Sequence, residues 1–387
     1  MKPVIAIPAI FLLVARAWKK KSLTPGGIFA AILTAVAHAY HPWNLPFALL
    51  VVFFLAGTRV THIKEQVKAN LTMHAKGSSG GEGPRTHVQV FANSLMASIL
   101  CLLHAHQLNT RAAALSSPGA EKPEGTMCFS WGGDILVVGI IANYAAVTAD
   151  TFSSELGILS KSDPRLIISP TLRKVPRGTN GGVTLLGLGA GLLGSIIVVT
   201  ASMLFLPTCN DSTSLAAGGG APWTGENRRL FMGLMVIWGA LGSVLDSVLG
   251  AVFQRSVKDV RTGKIVEGEG GVRVLVSDIK ANQVVGGSTK RADAKAAILH
   301  GEGSNAIEHT DESAVDENLE VEDKFNPKNK HRKSSFGDER PSRVVENGLD
   351  WLDNNDINFL MAVTMSIGGM AAASWYWGIP LQDILTP

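Results

Sequence analysis

The chain of 387 residues is 46% hydrophobic and only 17% charged, with a mean hydropathy of +0.21. Soluble domains carry about 25% charged residues, so this composition disfavours a large soluble core and favours a polytopic membrane protein. The formal net charge of +3 is too small to indicate a nucleic-acid partner. Many of the 41 glycines lie inside apolar runs, which suits close packing of helices in a membrane.

Eight apolar segments predict an all-α polytopic membrane protein, a bundle of about seven to eight transmembrane helices. Several segments are shorter than the roughly 20 residues that a full span requires, and the second and third would also fit one re-entrant pair. The first runs into a cluster of cations without a small-residue cleavage site, which favours an uncleaved anchor. The segments are residues 3–18, 27–40, 45–57, 88–106, 132–147, 183–206, 231–253 and 357–377.

The chain divides into three regions. Residues 1–255 are predicted to form the transmembrane core with its site loops, 256–350 a long cytosolic loop, and 351–387 the final transmembrane helix and the C-terminal tail. The start of the long loop has short β-branched runs broken by glycine, which predict a hairpin. The remainder of that loop is polar and charged, so we expect it to be disordered.

The odd-numbered loops are richer in lysine and arginine than the even-numbered loops, and this bias predicts that the odd-numbered loops face the cytosol. Both termini are then lumenal, with the endoplasmic reticulum as the default membrane. Two glycosylation sequons, at Asn70 and Asn210, report on this topology, because only Asn210 is predicted to lie outside the cytosol. A disulfide between Cys128 and Cys209 is conceivable if both lie on an oxidising side.

Carboxylates at the ends of apolar segments are the first candidate site residues. The stretch TADTFSSELG contains Asp150, Ser154 and Glu155, and Asp246 lies within a later segment on a stripe of small residues. A carboxylate inside a span is a functional candidate by default, with a hydrogen-bonded structural role as the plainer alternative. Oxygen ligands without histidine or cysteine suit Mg²⁺, so Asp150, Glu155 and Asp246 are predicted metal ligands. Asp150 and Asp246 are the predicted catalytic residues.

A basic, glycine-rich turn is the second candidate. In SPTLRKVPRGTNGGVTLLG, cations and glycines lead directly into an apolar helix, a pattern that favours an anion site at the helix N-terminus. Alternatively, the cations only enforce topology and the glycines only make a turn. The spacing of Arg59 and Lys64 allows further phosphate contacts, although a solvated basic face is the plainer interpretation. The predicted phosphate- or nucleotide-binding residues of the turn are Arg173, Lys174, Arg177, Gly178, Thr179, Asn180 and Gly181.

Five motifs, KKKSLTPGGIFAAIL, GTRVTHIKEQVK, NYAAVTADTFSSELG, TLRKVPRGTNGGVTLLG and GALGSVLDSVLGAVFQ, together resemble the transmembrane protein 19 family of integral membrane proteins. Its plant chloroplast members are phytyl-phosphate kinases. The resemblance implies a kinase that converts an isoprenoid monophosphate to its diphosphate, similar in character to CTP-using polyprenol kinases. It also implies a metal and phosphate site at Asp150, Glu155, Arg173, Lys174, Arg177, Asn180 and Asp246.

The favoured hypothesis is therefore a membrane isoprenoid-phosphate kinase, with a nucleoside triphosphate (CTP favoured), an isoprenoid phosphate such as farnesyl or geranylgeranyl phosphate, and the lipid bilayer as partners. Two other classes stay open. A transporter or lipid-handling protein would also use intramembrane carboxylates and glycine-rich helices, although no repeat is visible. A scaffold would use the long polar loop as its docking segment.

Overall fold

The computed structural model describes residues 3–75, 78, 80, 83–117, 125–271, 274 and 343–380. The predicted disorder of the long loop falls at residues 275–342, outside the described residues. The described helices are α1 Pro3–Lys20, α2 Pro25–Tyr40, α3 Leu45–Thr61, α4 Glu65–Ala69, α5 His87–Ser116, α6 Ile135–Gly157, α7 Leu185–Phe205, α8 Asp211–Ser214, α9 Gly225–Phe253 and α10 Asn354–Trp377. The described strands are β1 Met73–His74, β2 Arg165–Leu166, β3 Gly182–Val183, β4 Ser256–Asp259, β5 Ile265–Glu267 and β6 Arg343–Asn347.

The predicted helical membrane fold is confirmed, but with fewer full spans than expected. Within the part of the chain that the structure describes, five helices are long and apolar enough to cross a membrane: α5, α6, α7, α9 and α10. The prediction of seven to eight exceeds this number because α2 and α3 have only 16 and 17 residues. The helix α1 has 18 residues, and its second half carries Arg16, Lys19 and Lys20.

Helix α6 is the centre of the bundle. Every residue from Ile135 to Ala149 is buried, as expected for a helix that is apolar on all sides. Helices α3, α5, α7, α9 and α10 pack around it. Glycines allow the closest approach: a Cβ added at Gly242 of α9 would lie 2.5 Å from the Ala146 Cβ of α6.

Successive long helices run in opposite directions, so their ends gather on two faces. The C-terminal ends of α1, α3, α6 and α9 lie with the N-terminal ends of α2, α5, α7 and α10 around two cavities, and we call this the cavity face. A disulfide between Cys128 and Cys209 joins the segments before α6 and after α7 on the opposite side, the disulfide face. The N-terminal end of α1 and the C-terminal end of α10 both lie on the disulfide face.

A buried polar network stabilises the disulfide face. Asp134, which precedes α6, accepts a hydrogen bond from Nη1 of Arg111 at 2.6 Å, and its other carboxyl oxygen lies 3.7 Å from Nε2 of His104. The Nδ1 atom of His104 lies 2.8 Å from Nε2 of His41 in the α2–α3 connection. Burial by itself would raise the pKa of Asp134, but His104 and Arg111 together hold that pKa below the ordinary value.

A small sheet lies on the cavity face. Its β4–β5 hairpin falls at the start of the long loop, where the sequence predicts a hairpin, whereas β1 and β6 were not predicted. Its strand order is β1-β5-β4-β6, with β4 and β5 forming an antiparallel hairpin, β6 antiparallel to β4, and β1 parallel to β5. The buried side chains of Ala75, Val257, Val266 and Val274 form its core. The described strands of this sheet have two to five residues, too short for a periodic signal, and β1 comes from a different loop than β4, β5 and β6.

Candidate functional site

A polar cavity of about 270 Å³ opens on the cavity face, between the ends of α6, α7 and α9 and the loop that precedes α7. We call it the polar cavity. Most of the residues predicted from the two motifs line it, although they come from segments nearly a hundred residues apart. The predicted residues that line it are Asp150, Ser154, Glu155, Arg177, Gly178, Thr179, Asn180, Gly181 and Asp246.

Two carboxyl groups meet in the wall of the polar cavity. Asp150 lies near the C-terminal end of α6, and the small-residue stripe of α9 packs against α6 closely enough for Asp246 to share a hydrogen bond with Asp150. The second carboxyl oxygen of Asp246, Oδ2, is buried and has no hydrogen-bond partner among the described residues. Two adjacent carboxyl groups cannot both be ionised without compensation, so the pair requires a shared proton or a cation. The donor set of carboxylate oxygens fits Mg²⁺.

Glu155 has a different partner. Its Oε2 forms an ion pair with Nζ of Lys68 on α4, and the two side chains are 12% and 10% exposed. Asp150, Glu155 and Asp246 all line the polar cavity, but the described residues contain no group of three potential ligand side chains that could hold one metal ion. The physical reason is helical geometry: five residues separate Glu155 from Asp150, about 140° around the helix axis. The hydroxyl of Ser154, in turn, donates to the backbone carbonyl of Asp150 at 3.0 Å.

The glycine-rich loop is held in place by specific contacts. The backbone N–H of Asn180 donates to Oγ of Ser256 on β4 at 2.9 Å, and Oγ1 of Thr179 donates to the carbonyl of Pro176 at 2.7 Å. Gly178 and Gly181 adopt φ values of 86° and 76°, in the region that favours glycine. The loop then enters α7, whose N-terminus Thr184 caps by accepting from the N–H of Gly187. This arrangement places backbone groups and one cation, Arg177, at the cavity wall.

Four of the candidate cations do not line the polar cavity: Arg59, Lys64, Arg173 and Lys174. Arg173 binds Oε1 of Glu346 on β6 at 2.9 Å, and Lys174 binds Oδ2 of Asp163 at 3.1 Å. The turn at Leu172, with φ of 47°, and the pairing of Arg165 with Lys174 direct this part of the loop away from the cavity. Arg59 and Lys64 are exposed and do not line the polar cavity either.

Sequence reasoning missed several polar residues that line the polar cavity, among them Lys68, Thr72 and Glu267. Lys68 lies four residues after Lys64, and nothing in the local pattern distinguishes the two cations. Its selection depends on the contact of α4 with α6 across 87 residues. Glu267 reaches the cavity because β5 pairs with β1, and strands this short leave no pattern in the sequence from which the pairing could be predicted.

Comparisons with known proteins show which family this chain belongs to. A model of the integral membrane protein family DUF92 matches residues 8–366. The chain is 34% identical over 254 residues to Protein PGR of Arabidopsis thaliana, covering 65% of this chain and 79% of that protein. It is 27% identical over 251 residues to the Uncharacterized membrane protein MJ0933 of Methanocaldococcus jannaschii, covering 65% and 83%. No solved structure matches.

A further relative is Protein VTE6, chloroplastic, of Arabidopsis thaliana, with 28% identity over 180 residues, or 46% of each chain. The family match spans all of the predicted site residues, from Arg59 to Asp246. These findings confirm the resemblance that the five motifs indicated. The chain belongs to the DUF92 family of integral membrane proteins.

Proposed function

We propose that this protein is a membrane-embedded isoprenoid-phosphate kinase. It transfers the terminal phosphoryl group of a nucleoside triphosphate, with CTP favoured, to the phosphate of a prenyl monophosphate. The observation that carries the proposal is the convergence, in one polar cavity at the edge of a helix bundle, of the Asp150–Asp246 carboxyl pair and the loop from Arg177 to Gly181. The resemblance of its motifs to a family whose plant chloroplast members are phytyl-phosphate kinases supports it.

The transfer makes one bond and breaks one. An oxygen of the prenyl phosphate attacks the terminal phosphorus of the donor, the bond from that phosphorus to the bridging oxygen breaks, and the products are prenyl diphosphate and the nucleoside diphosphate. The attacking oxygen belongs to an ionised phosphate, so no strong general base is required. The carboxyl pair therefore has no proton to remove.

Catalysis then depends on positioning and charge. Arg177 and the glycine-rich loop bind phosphate oxygens of the donor or acceptor, because cations and hydrogen-bond donors stabilise the negative charge that shifts during transfer. Asp150 and Asp246 would hold Mg²⁺, which supplies neutralisation of the donor phosphates when bound. The buried Oδ2 of Asp246, which has no hydrogen-bond partner within the described part of the chain, is the atom that suits such an ion.

The proposed orientation places the cavity face in the cytosol, with the endoplasmic reticulum as the membrane and both termini lumenal. Cations at the end of α1, Arg16, Lys19 and Lys20, lie on the cavity face and follow the positive-inside rule. The disulfide on the opposite face suits an oxidising compartment. Cytosolic nucleotides would then reach the polar cavity directly.

The test uses the purified full chain with prenyl phosphates, CTP or ATP, and Mg²⁺. Replacing Asp150 or Asp246 by Asn should lower turnover by roughly 10²–10³-fold, the range seen when one group that stabilises a transition state is removed. Asp163→Asn is the matched control, because Asp163 is a carboxylate on the same face that does not line the polar cavity. Wild-type turnover in both Asn variants would overturn the site.

The competing class is a transporter without chemistry. In liposomes containing the purified protein, nucleotide-independent movement of prenyl phosphate across the bilayer, with no diphosphate formed, would support transport and contradict the kinase proposal. Formation of diphosphate that requires both nucleotide and the intact carboxyl pair would support the kinase.

A further inference from the structure

A second cavity, of about 330 Å³, lies beside the polar cavity between α1, α2, α3 and the start of α5. We call it the apolar groove. Its lining is mostly aliphatic and aromatic over most of its length, and includes Ile10, Val14, Ala31, Ala35, Leu50 and Phe54. The phosphoryl transfer proposed for the polar cavity does not use this space.

The mouth of the apolar groove is polar and adjoins the polar cavity. Thr61 and Glu65, at the end of α3 and the start of α4, line both cavities. Lys20 and Arg85 also line the groove near this end, and Nη2 of Arg85 donates to Oγ1 of Thr61 at 3.1 Å. A molecule that extends from one cavity into the other would therefore pass cations first and then enter a hydrocarbon environment.

The depth of the apolar groove follows from the helices that form it. On α1 the lining runs from Lys20 to Ile10, and on α3 from Thr61 to Leu50. Ten or eleven residues at 1.5 Å per residue correspond to a depth of about 15 Å. An extended chain advances about 1.2 Å per bond, as the backbone does, so an isoprene unit of four bonds spans about 5 Å. The groove is about three isoprene units deep.

We propose that the apolar groove binds the hydrocarbon tail of the lipid phosphate whose headgroup lies in the polar cavity, and that its floor limits the tail to about three isoprene units. The inference rests on the proposed function for the identity of the headgroup. Charge supports it as well as shape, because the cations at the mouth lie where an anionic headgroup continues from the tail. Farnesyl phosphate is the substrate whose length matches the depth.

Helix α2 provides a way to shorten the groove in steps. Ala31 and Ala35 both line it and lie four residues apart on one face of the helix, about 6 Å along its axis. Ala35 lies near the floor, where Oγ1 of the adjacent Thr34 forms a hydrogen bond of 3.2 Å with Oγ of Ser94 on α5. Val36, the next residue, is 54% exposed on the outer surface of the bundle and does not line the groove.

The experiment compares Ala35→Phe and Ala31→Phe with the control Val36→Phe in the purified full chain. Turnover of geranyl, farnesyl and geranylgeranyl phosphate is measured, together with the thermal stabilisation that each gives without nucleotide. Ala35→Phe should shift the preference from farnesyl to geranyl phosphate, changing the ratio of kcat/KM by roughly 100-fold, since one isoprene unit loses its burial. Ala31→Phe should also reject geranyl phosphate, and Val36→Phe should keep the wild-type profile.

The outcomes separate this inference from the kinase proposal. If the wild-type protein phosphorylates no prenyl phosphate, the kinase proposal fails, and the thermal stabilisation still tests whether the groove selects tail length. If the wild-type protein is active and both groove variants keep its length profile, the groove assignment is wrong. An equal shift in Val36→Phe would also overturn it. If Ala35→Phe does not fold, Ala35→Leu replaces it in the comparison. Leucine adds less volume than phenylalanine, so the expected shift in length preference is smaller.

Discussion

The buried ion pair of Glu155 and Lys68 makes a sharp prediction, because it assigns Glu155 a structural role in place of the predicted metal ligation. The perturbation is a double-mutant cycle: Glu155→Gln, Lys68→Met, and both together. Each single variant leaves one charge without its partner in a nearly buried site, whereas the double variant removes both charges.

The structure sets the magnitudes. Removing one partner of a buried pair costs about 3–5 kcal/mol, mainly because the remaining charge is uncompensated. Lys68 would keep its hydrogen bonds to the carbonyls of Val60 and Thr61, so Glu155→Gln should be at the low end of that range. Glu155 has no second partner among the described residues, so Lys68→Met should be at the high end. At about 2 °C per kcal/mol, the melting temperature should fall by about 6 °C and about 10 °C respectively.

The assay is thermal unfolding of the four proteins in the same detergent, with and without Mg²⁺. The double variant should be markedly more stable than the sum of the single effects predicts, because replacing both members of a buried pair is often nearly neutral. Additive losses would refute the structural ion pair. So would stabilisation by Mg²⁺ that is abolished by Glu155→Gln and unaffected by Lys68→Met, since that result would restore Glu155 as a metal ligand.

Three further predictions concern the loop, the topology and the disulfide face. Gly181→Ala should reduce the melting temperature and the turnover strongly, because an added Cβ would lie 2.3 Å from the Cβ of Ala251 on α9. The control is Gly263→Ala, which has a similar φ of 69° but open space around it, and it should cost only the backbone strain of about 1–2 kcal/mol. In a glycosylation assay in microsomes, Asn210 should be modified and Asn70 should not, and modification at Asn70 would reverse the proposed orientation. The depressed pKa of Asp134 stabilises the folded state above the ordinary pKa of 3.8, and this contribution is lost as the pH falls from 3.8 through the lower folded value. Asp134→Asn should therefore flatten the fall of the melting temperature below about pH 4, and an unchanged acid limb would contradict this.

The two candidate motifs were visible in the sequence because each has an unusual local composition. A carboxylate among apolar residues, such as Asp150 or Asp246, is costly in a membrane and therefore marks a site wherever it occurs. Glycines between cations and a helix, as at Gly178 and Gly181, also have a local physical meaning. The structure brings Asp150, Asp246 and the loop from Arg177 to Gly181 to one cavity wall.

Local sequence patterns did not predict which cations line the polar cavity. Arg173 and Arg177 lie four residues apart in one basic run, yet Arg173 binds Glu346 on β6 and only Arg177 lines the cavity. The difference depends on a strand that follows residues 275–342. Lys68 likewise lines the cavity because α4 contacts α6, and a solvated cation in a loop has the same composition as one in an ion pair.

By itself, the sequence determined that this chain is a helical membrane protein with acidic and glycine-rich candidates on one side, because hydropathy, charge bias and buried carboxylates are local properties that lipid makes costly to violate. Only the tertiary structure decided that Asp246 shares a hydrogen bond with Asp150, that Glu155 binds Lys68, and that an apolar groove lies beside the polar cavity. Those outcomes depend on which helices pack together and at what angle around their axes, and helix packing is settled by contacts between residues far apart in the chain.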